Sequence, residues 1–168
     1  MNLLIDIENA SGSDDVPDDE HIHRWVKAAL QALPTEQQRS SAELSVRIVS
    51  EQESQNLNHR YRQKNSPTNV LSFPSELPPE LNIPLLGDLA ICAQVVAREA
   101  QQQQKTADAH WAHMLVHGTL HLLDYDHIDD GDADEMEALE TQIITDLGFP
   151  EPYNDTFYQS PKRAPQNS

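Results

Sequence analysis

The sequence predicts an α+β domain, a small mixed four-stranded sheet packed with about five helices. Two observations carry that prediction. Short stretches of alternating or continuous apolar residues are interleaved with longer ones in which apolar residues recur at the helical period, and turn residues separate them. The resulting order, β-α-β-α-β-β-α-α-α, gives a small sheet with helices laid against it.

Residues 2–8 read as the first strand, followed by the acidic, turn-rich segment from Ser11 to Asp19. Ile22, Trp25, Val26, Ala29, Leu30 and Leu33 follow the i, i+3, i+4, i+7 pattern of an amphipathic helix, which Pro34 stops. Leu44, Val46 and Ile48 alternate with Glu43, Ser45 and Arg47, the signature of a half-buried strand. Ser50 and Glu53 form a capping box that opens a polar helix carrying Leu57 and Tyr61 and ending before Pro67. Val70 to Phe73 is a third strand, halted by Pro74, and residues 74–84, with prolines at 74, 78, 79 and 84, are a long loop.

Leu86 to Ile91 is the fourth strand, and Gln94 to Gln103 a helix. Thr106 caps the next helix, whose core stripe is Trp111, Met114, Leu115, Gly118 and Leu122. The last helix begins near Asp132, buries Met136, Leu139, Ile143, Ile144 and Leu147, and ends at Gly148 and Pro150. Residues 1–150 are expected to form a single domain. Residues 151–168 lack periodicity and are expected to be a mobile tail.

Composition narrows the function. The net charge of −17, from 11 cations against 28 anions, argues against broad nucleic-acid binding, and no DNA partner is expected. The distribution matters more than the sum. Arg60, Arg62 and Lys64 concentrate three cations in five residues. Such a run is commonly just a solvated helix end, but on an acidic body it can also bind an anionic substrate locally. The single cysteine, Cys92, excludes an internal disulfide and reads as a buried free thiol. No stretch approaches 18 apolar residues and the N-terminus lacks the features of a signal peptide, so no membrane contact is expected and the cytoplasm is the economical location.

Five of the eight histidines fall between residues 110 and 127. His110, His113, His117 and His121 share one stripe of a helix, and the first two read as satisfied structural residues. His117 and His121 lie one turn apart, about 6 Å between Cβ atoms. His127 follows six residues later, just past the helix end. Three neutral imidazoles around one zinc ion leave an open position, where metal catalysis takes place.

The i, i+4, i+10 spacing is that of the metzincin zinc peptidases, so the helix reads as zincin-like. Gly118, however, stands where those enzymes place their general-base glutamate, and glycine takes no proton from water. Asp124 stands where they have glycine, a position that must let the chain leave the helix. Asp126 is either a partner that fixes an imidazole tautomer or an exposed loop carboxylate. Gly87-Asp88 is either a substrate-side pair or the polar start of a strand.

The stretch His117-Gly118-x-Leu120-His121-Leu122-x-x-Tyr125-Asp126-His127 resembles the signature of the YbeY family of bacterial single-strand-specific endoribonucleases. The match fails only at Asp124, where the family has glycine. Tyr61-Arg62-Gln63-Lys64, Pro67-Thr68-Asn69-Val70-Leu71-Ser72-Phe73-Pro74 and Leu86-Gly87-Asp88-Leu89-Ala90-Ile91 extend the similarity, which runs from about Leu44 to Gly148.

The resemblance implies a zinc enzyme with one ion per chain, held by His117, His121 and His127. It further implies Arg62 as an essential residue of the RNA-cleaving site. The expected setting is maturation of ribosomal RNA, notably the 3′ end of the small-subunit RNA, and ribosome quality control, with the small ribosomal subunit as partner. A permanently charged, bidentate guanidinium suits the charge that gathers on a phosphodiester as it is cut. Two other classes stay open at this stage: a zinc peptidase, and a ribosome-associated scaffold whose metal is structural.

Overall fold

Four strands pair in the order β1-β2-β4-β3: β1 (Asn2–Asn9), β2 (Ser41–Val49), β3 (Val70–Pro74) and β4 (Leu85–Cys92). A computed structural model describes residues 1–77, 83–123 and 130–153, with backbone alone at residues 36 and 130–133. β1, β2 and β4 run parallel, whereas β3 is antiparallel to β4 and forms one edge. The sheet is therefore mixed, as predicted. Among the described residues five α-helices pack with it: α1 (Asp19–Gln31), α2 (Glu51–Arg62), α3 (Ala93–Gln102), α4 (Ala107–Leu122) and α5 (Asp130–Asp146).

Side-chain alternation divides the core between the two sheet faces. Leu3, Leu44, Val46, Ile48, Leu89 and Ile91 join Ile22 and Trp25 of α1, Trp111 and Leu115 of α4, and Met136 and Ile144 of α5 in the larger cluster. On the opposite face Val49, Leu71, Ala90 and Cys92 pack with Val95 of α3 and the partly buried Leu57 of α2. Cys92 thus belongs to the small core, as a buried free thiol.

Local chemistry sets the helix boundaries. Asp18 caps α1 by accepting from the His21 N–H at 2.9 Å. Ser50 caps α2 by accepting from the Glu53 N–H, as the sequence predicts. The reciprocal half of the capping box is missing, because the Glu53 carboxylate instead receives Arg47 Nε at 2.7 Å and Nη2 at 3.1 Å. A charge-assisted fork of this kind outcompetes a neutral backbone donor. Thr106 caps α4 through the Ala109 N–H, and α5 begins at Asp130, two residues before the expected start.

Two glycines let α4 and the edge strand come together. A Cβ on Gly118 would lie 3.0 Å from Leu89 Cδ2 and 3.2 Å from Val70 Cγ2, so α4 seats directly on β3 and β4 there. Ser72 Oγ donates to the Gly118 carbonyl at 3.1 Å and fastens the same contact. Gly87 has φ +143°, and a Cβ there would fall 2.3 Å from the Phe73 carbonyl oxygen. Only glycine allows β3 to pair at that point.

Candidate metal centre and adjoining cleft

Arg62 is brought to the sheet edge by the polar inner face of α2. Ser54 and Asn58 are buried on that face. Ser54 Oγ donates to the Thr68 carbonyl and accepts from the Thr68 N–H, both at 2.9 Å, and Asn58 Nδ2 donates to the Ser66 carbonyl. These bonds tie down the loop that leads into β3. The helix closes with Gln63 in the left-handed region at φ 59°, its N–H on His59 O, and with Lys64 N–H on Asn58 O. His59, Arg60 and Arg62 occupy the last turn, where cations complement the helix dipole.

The outcome is a cleft of about 360 Å³ lined by Tyr61, Arg62, Leu71, Ser72, Phe73, Pro74 and His121. Arg62 and His121, more than fifty residues apart in sequence, share one cavity. Among the described residues no carboxylate pairs with Arg62, whereas Arg47 and Arg98 are each held by glutamate. Tyr61 is 53% exposed, with its ring 5.1 Å from that of Phe73. Asp88 is exposed and stands opposite Phe73 in the β3–β4 pairing, where it accepts from Ser45 Oγ.

Behind the cleft, α4 carries its histidines in a buried row. The Nε2 atoms of His117 and His121 face each other at 3.1 Å. On its other side His117 donates from Nδ1 to Glu140 Oε2 at 2.6 Å. His113 donates from Nε2 to Glu140 Oε1 at 2.9 Å, and the Tyr153 hydroxyl donates to the same oxygen. His110 donates to Glu99 Oε1 at 2.8 Å, and Asn69 Nδ2 also reaches that carboxylate. His110 and His113 are thus buried and each engages a carboxylate through Nε2, while the Nδ1 atom of each has no hydrogen-bond partner among the described residues.

Electrostatics follows from burial. Burial alone would raise Glu140, but His117 and His113 overcome it and hold the carboxylate well below its usual range. His113 is pushed down to about 4 by burial, against the opposing pull of Glu140. Burial likewise works to raise Glu99, and its bonds from His110 and Asn69 prevail and lower it. Lys105 is pushed down to about 8 by burial, with Glu99 and Glu140 opposing.

The sequence-predicted ligands meet the structure unevenly. His117 and His121 come together, and Arg62 joins His121 in the cleft. His127, with Asp124 and Asp126, lies outside the described residues. Glu140 is the residue that sequence reasoning passed over. It sits on the apolar stripe of α5 with Met136, Ile143 and Ile144, and a carboxylate on such a stripe was the available signal. His113, His117 and Glu140 offer one ligand atom each within 4.8 Å of one another, so this buried group could hold a metal.

Fold and site define an α+β protein with a buried histidine–glutamate group beside an arginine-lined cleft. The model of the family described as Endoribonuclease YbeY matches residues 6–148. An Endoribonuclease YbeY of Cellvibrio japonicus (strain Ueda107) is 53% identical over 163 residues, covering 97% of this chain and 89% of that protein. A protein of Thermotoga maritima solved in solution shares the fold, with a TM-score of 0.58 and 20% identity over 96% of this chain and 99% of the other. The chain belongs to the YbeY endoribonuclease family.

Proposed function

We propose that this chain is a metal-dependent endoribonuclease that cuts single-stranded RNA. Family membership supports the nuclease activity and the RNA substrate. The observation that carries the rest is the shared cleft: Arg62 and His121 line one cavity, and His121 turns Nε2 toward His117. We assign zinc as the ion and His117, His121 and His127 as its ligands. The donor set fits, since two imidazole nitrogens 3.1 Å apart are close to the separation of about 3.3 Å that tetrahedral bonds of about 2.0–2.1 Å would impose.

When bound, zinc would supply Lewis acidity and a water of lowered pKa. The chain's own residues do the remaining work. Arg62 offers a fork of donors to the phosphodiester oxygens on which charge develops, and its loss should cost about 10²–10³ in rate. At about 360 Å³ the cleft is the size of a small-ligand pocket and has room for a nucleotide unit. The lining from Leu71 to Pro74 supplies its β-strand wall.

The peptidase alternative is disfavoured by packing as well as by chemistry. The side chain of a glutamate at position 118 would meet Leu89 and Val70 instead of the cleft. Maturation of small-subunit ribosomal RNA, ribosome quality control, the small ribosomal subunit as partner and a cytoplasmic setting complete the reading. Among the described residues no helix is long and apolar enough to cross a membrane. The test is zinc content and cleavage of single-stranded RNA by wild type, His117→Ala and Arg62→Ala. Loss of metal and cleavage in the first variant, and of cleavage alone in the second, is expected. Wild-type cleavage by Arg62→Ala would overturn the assignment of Arg62.

A further inference from the structure

Glu140 is 0% exposed, on the stripe of α5 that packs into the main core. A carboxylate in such a place is costly unless donors surround it. Three do. Oε1 receives His113 Nε2 and the Tyr153 hydroxyl, and Oε2 receives His117 Nδ1 at 2.6 Å. Both oxygens are therefore engaged by protein.

His117 has a different neighbour on each ring nitrogen. With the Nδ1 proton on Glu140, the neutral ring keeps its lone pair on Nε2, the atom that faces His121. His113 points the same way. Its Nδ1 is buried without a hydrogen-bond partner among the described residues, which a lone pair tolerates better than an N–H, so the proton belongs on Nε2 toward Glu140. An ion among His113, His117 and Glu140 would have to displace those hydrogen-bonded protons. An ion on the His121 side of His117 displaces none from Glu140.

We propose that Glu140 is the positioning carboxylate of the metal centre: it holds the Nδ1 proton of His117, so that Nε2 is turned to the ion, while His113 and Tyr153 hold Glu140 itself. This rests on the metal reading above. It assigns to α5 and to the start of the C-terminal segment a part in the site that α4 displays. Carboxylates of this kind orient the ring and raise its basicity, and their loss typically costs about 10–100-fold in metal affinity.

The test is zinc affinity of the full-length protein by chelator competition, with the histidine tautomers of the zinc-loaded protein read by nitrogen-15 NMR. Glu140→Gln, nearly identical in shape, should bind zinc about 10–100-fold more weakly with its circular dichroism unchanged. Wild-type affinity in folded Glu140→Gln would overturn the proposal. Should that variant not fold, the wild-type spectrum decides. His117 protonated at Nδ1 and metallated at Nε2 supports the proposal, and metallation at Nδ1 overturns it. RNA cleavage separates the two readings, since a wild type that binds zinc through Nε2 but cuts no RNA would sink the nuclease and leave the role of Glu140 standing.

Discussion

His117 and His121 turn their Nε2 atoms toward each other at 3.1 Å across one turn of α4, inside a helix whose residues from Ala109 to Leu122 are all buried. At this distance one nitrogen donates a proton to the other in the metal-free protein, and a cation that takes the place of that proton can be shared by both lone pairs. Zinc added to metal-free protein should therefore raise the unfolding temperature, because a ligand that binds only the folded state stabilises it by about 2.7 kcal/mol at one hundred times its Kd. In His121→Ala most of that rise should vanish. Differential scanning calorimetry with and without zinc checks it, and an equal rise in wild type and variant would remove His121 from the ligand set.

Arg62 should separate charge from geometry. Arg62→Lys keeps a cation at the end of α2 but loses the planar fork, so it should recover only part of the rate that Arg62→Ala loses. Zinc content should be the same in all three proteins, because a permanently protonated guanidinium offers no lone pair to the ion and Arg62 is outside the proposed ligand set. Single-turnover cleavage of a short single-stranded RNA makes the comparison. A Lys variant as fast as wild type would reduce the requirement to a positive charge.

Much of this arrangement was legible in the sequence, for a physical reason. Periodicity reports burial, so the alternation at Leu44, Val46 and Ile48 and the stripe at Trp111, Met114 and Leu115 became β2 and α4. Helix spacing likewise made His117 and His121 neighbours. What escaped were pairings set only in three dimensions. Glu53 looked like half of a capping box until Arg47 and its own strand came within reach. Glu140 looked like one acid among many in α5, and nothing in α5 alone says that α4 places two histidines opposite it.

Gly87 makes the cleft wall testable. Gly87→Ala would push a methyl to within 2.3 Å of the Phe73 carbonyl and force a side chain into φ +143°, so backbone must shift. Destabilisation of about 2–4 kcal/mol is expected from such strain. Because β3 supplies the lining from Leu71 to Pro74, RNA cleavage should fall in the folded fraction as well. Urea unfolding followed by cleavage below the transition tests both, and a variant as stable as wild type would show that β3 needs no glycine partner.

Acid should destabilise the fold through the row behind the cleft. His113 in the folded state titrates at about 4 because burial opposes its charge, against an ordinary value of 6.5. Between those two values the unfolded chain binds a proton that the folded chain does not. Stability therefore falls as the pH falls through this window, by up to about 1.4 kcal/mol per pH unit from this one residue. Glu140 acts in the same direction lower down. Its folded pKa is depressed, so its contribution is whole above the ordinary carboxylate value and is lost as acid protonates it. His113→Gln can still donate to Glu140 but cannot titrate. In zinc-free protein it should flatten the slope of unfolding free energy against pH between 4 and 6.5, measured by urea unfolding at half-unit steps. An unchanged slope would mean that His113 is protonated in the folded protein and forms an ion pair with Glu140, in place of the neutral donor that its partnerless Nδ1 indicates.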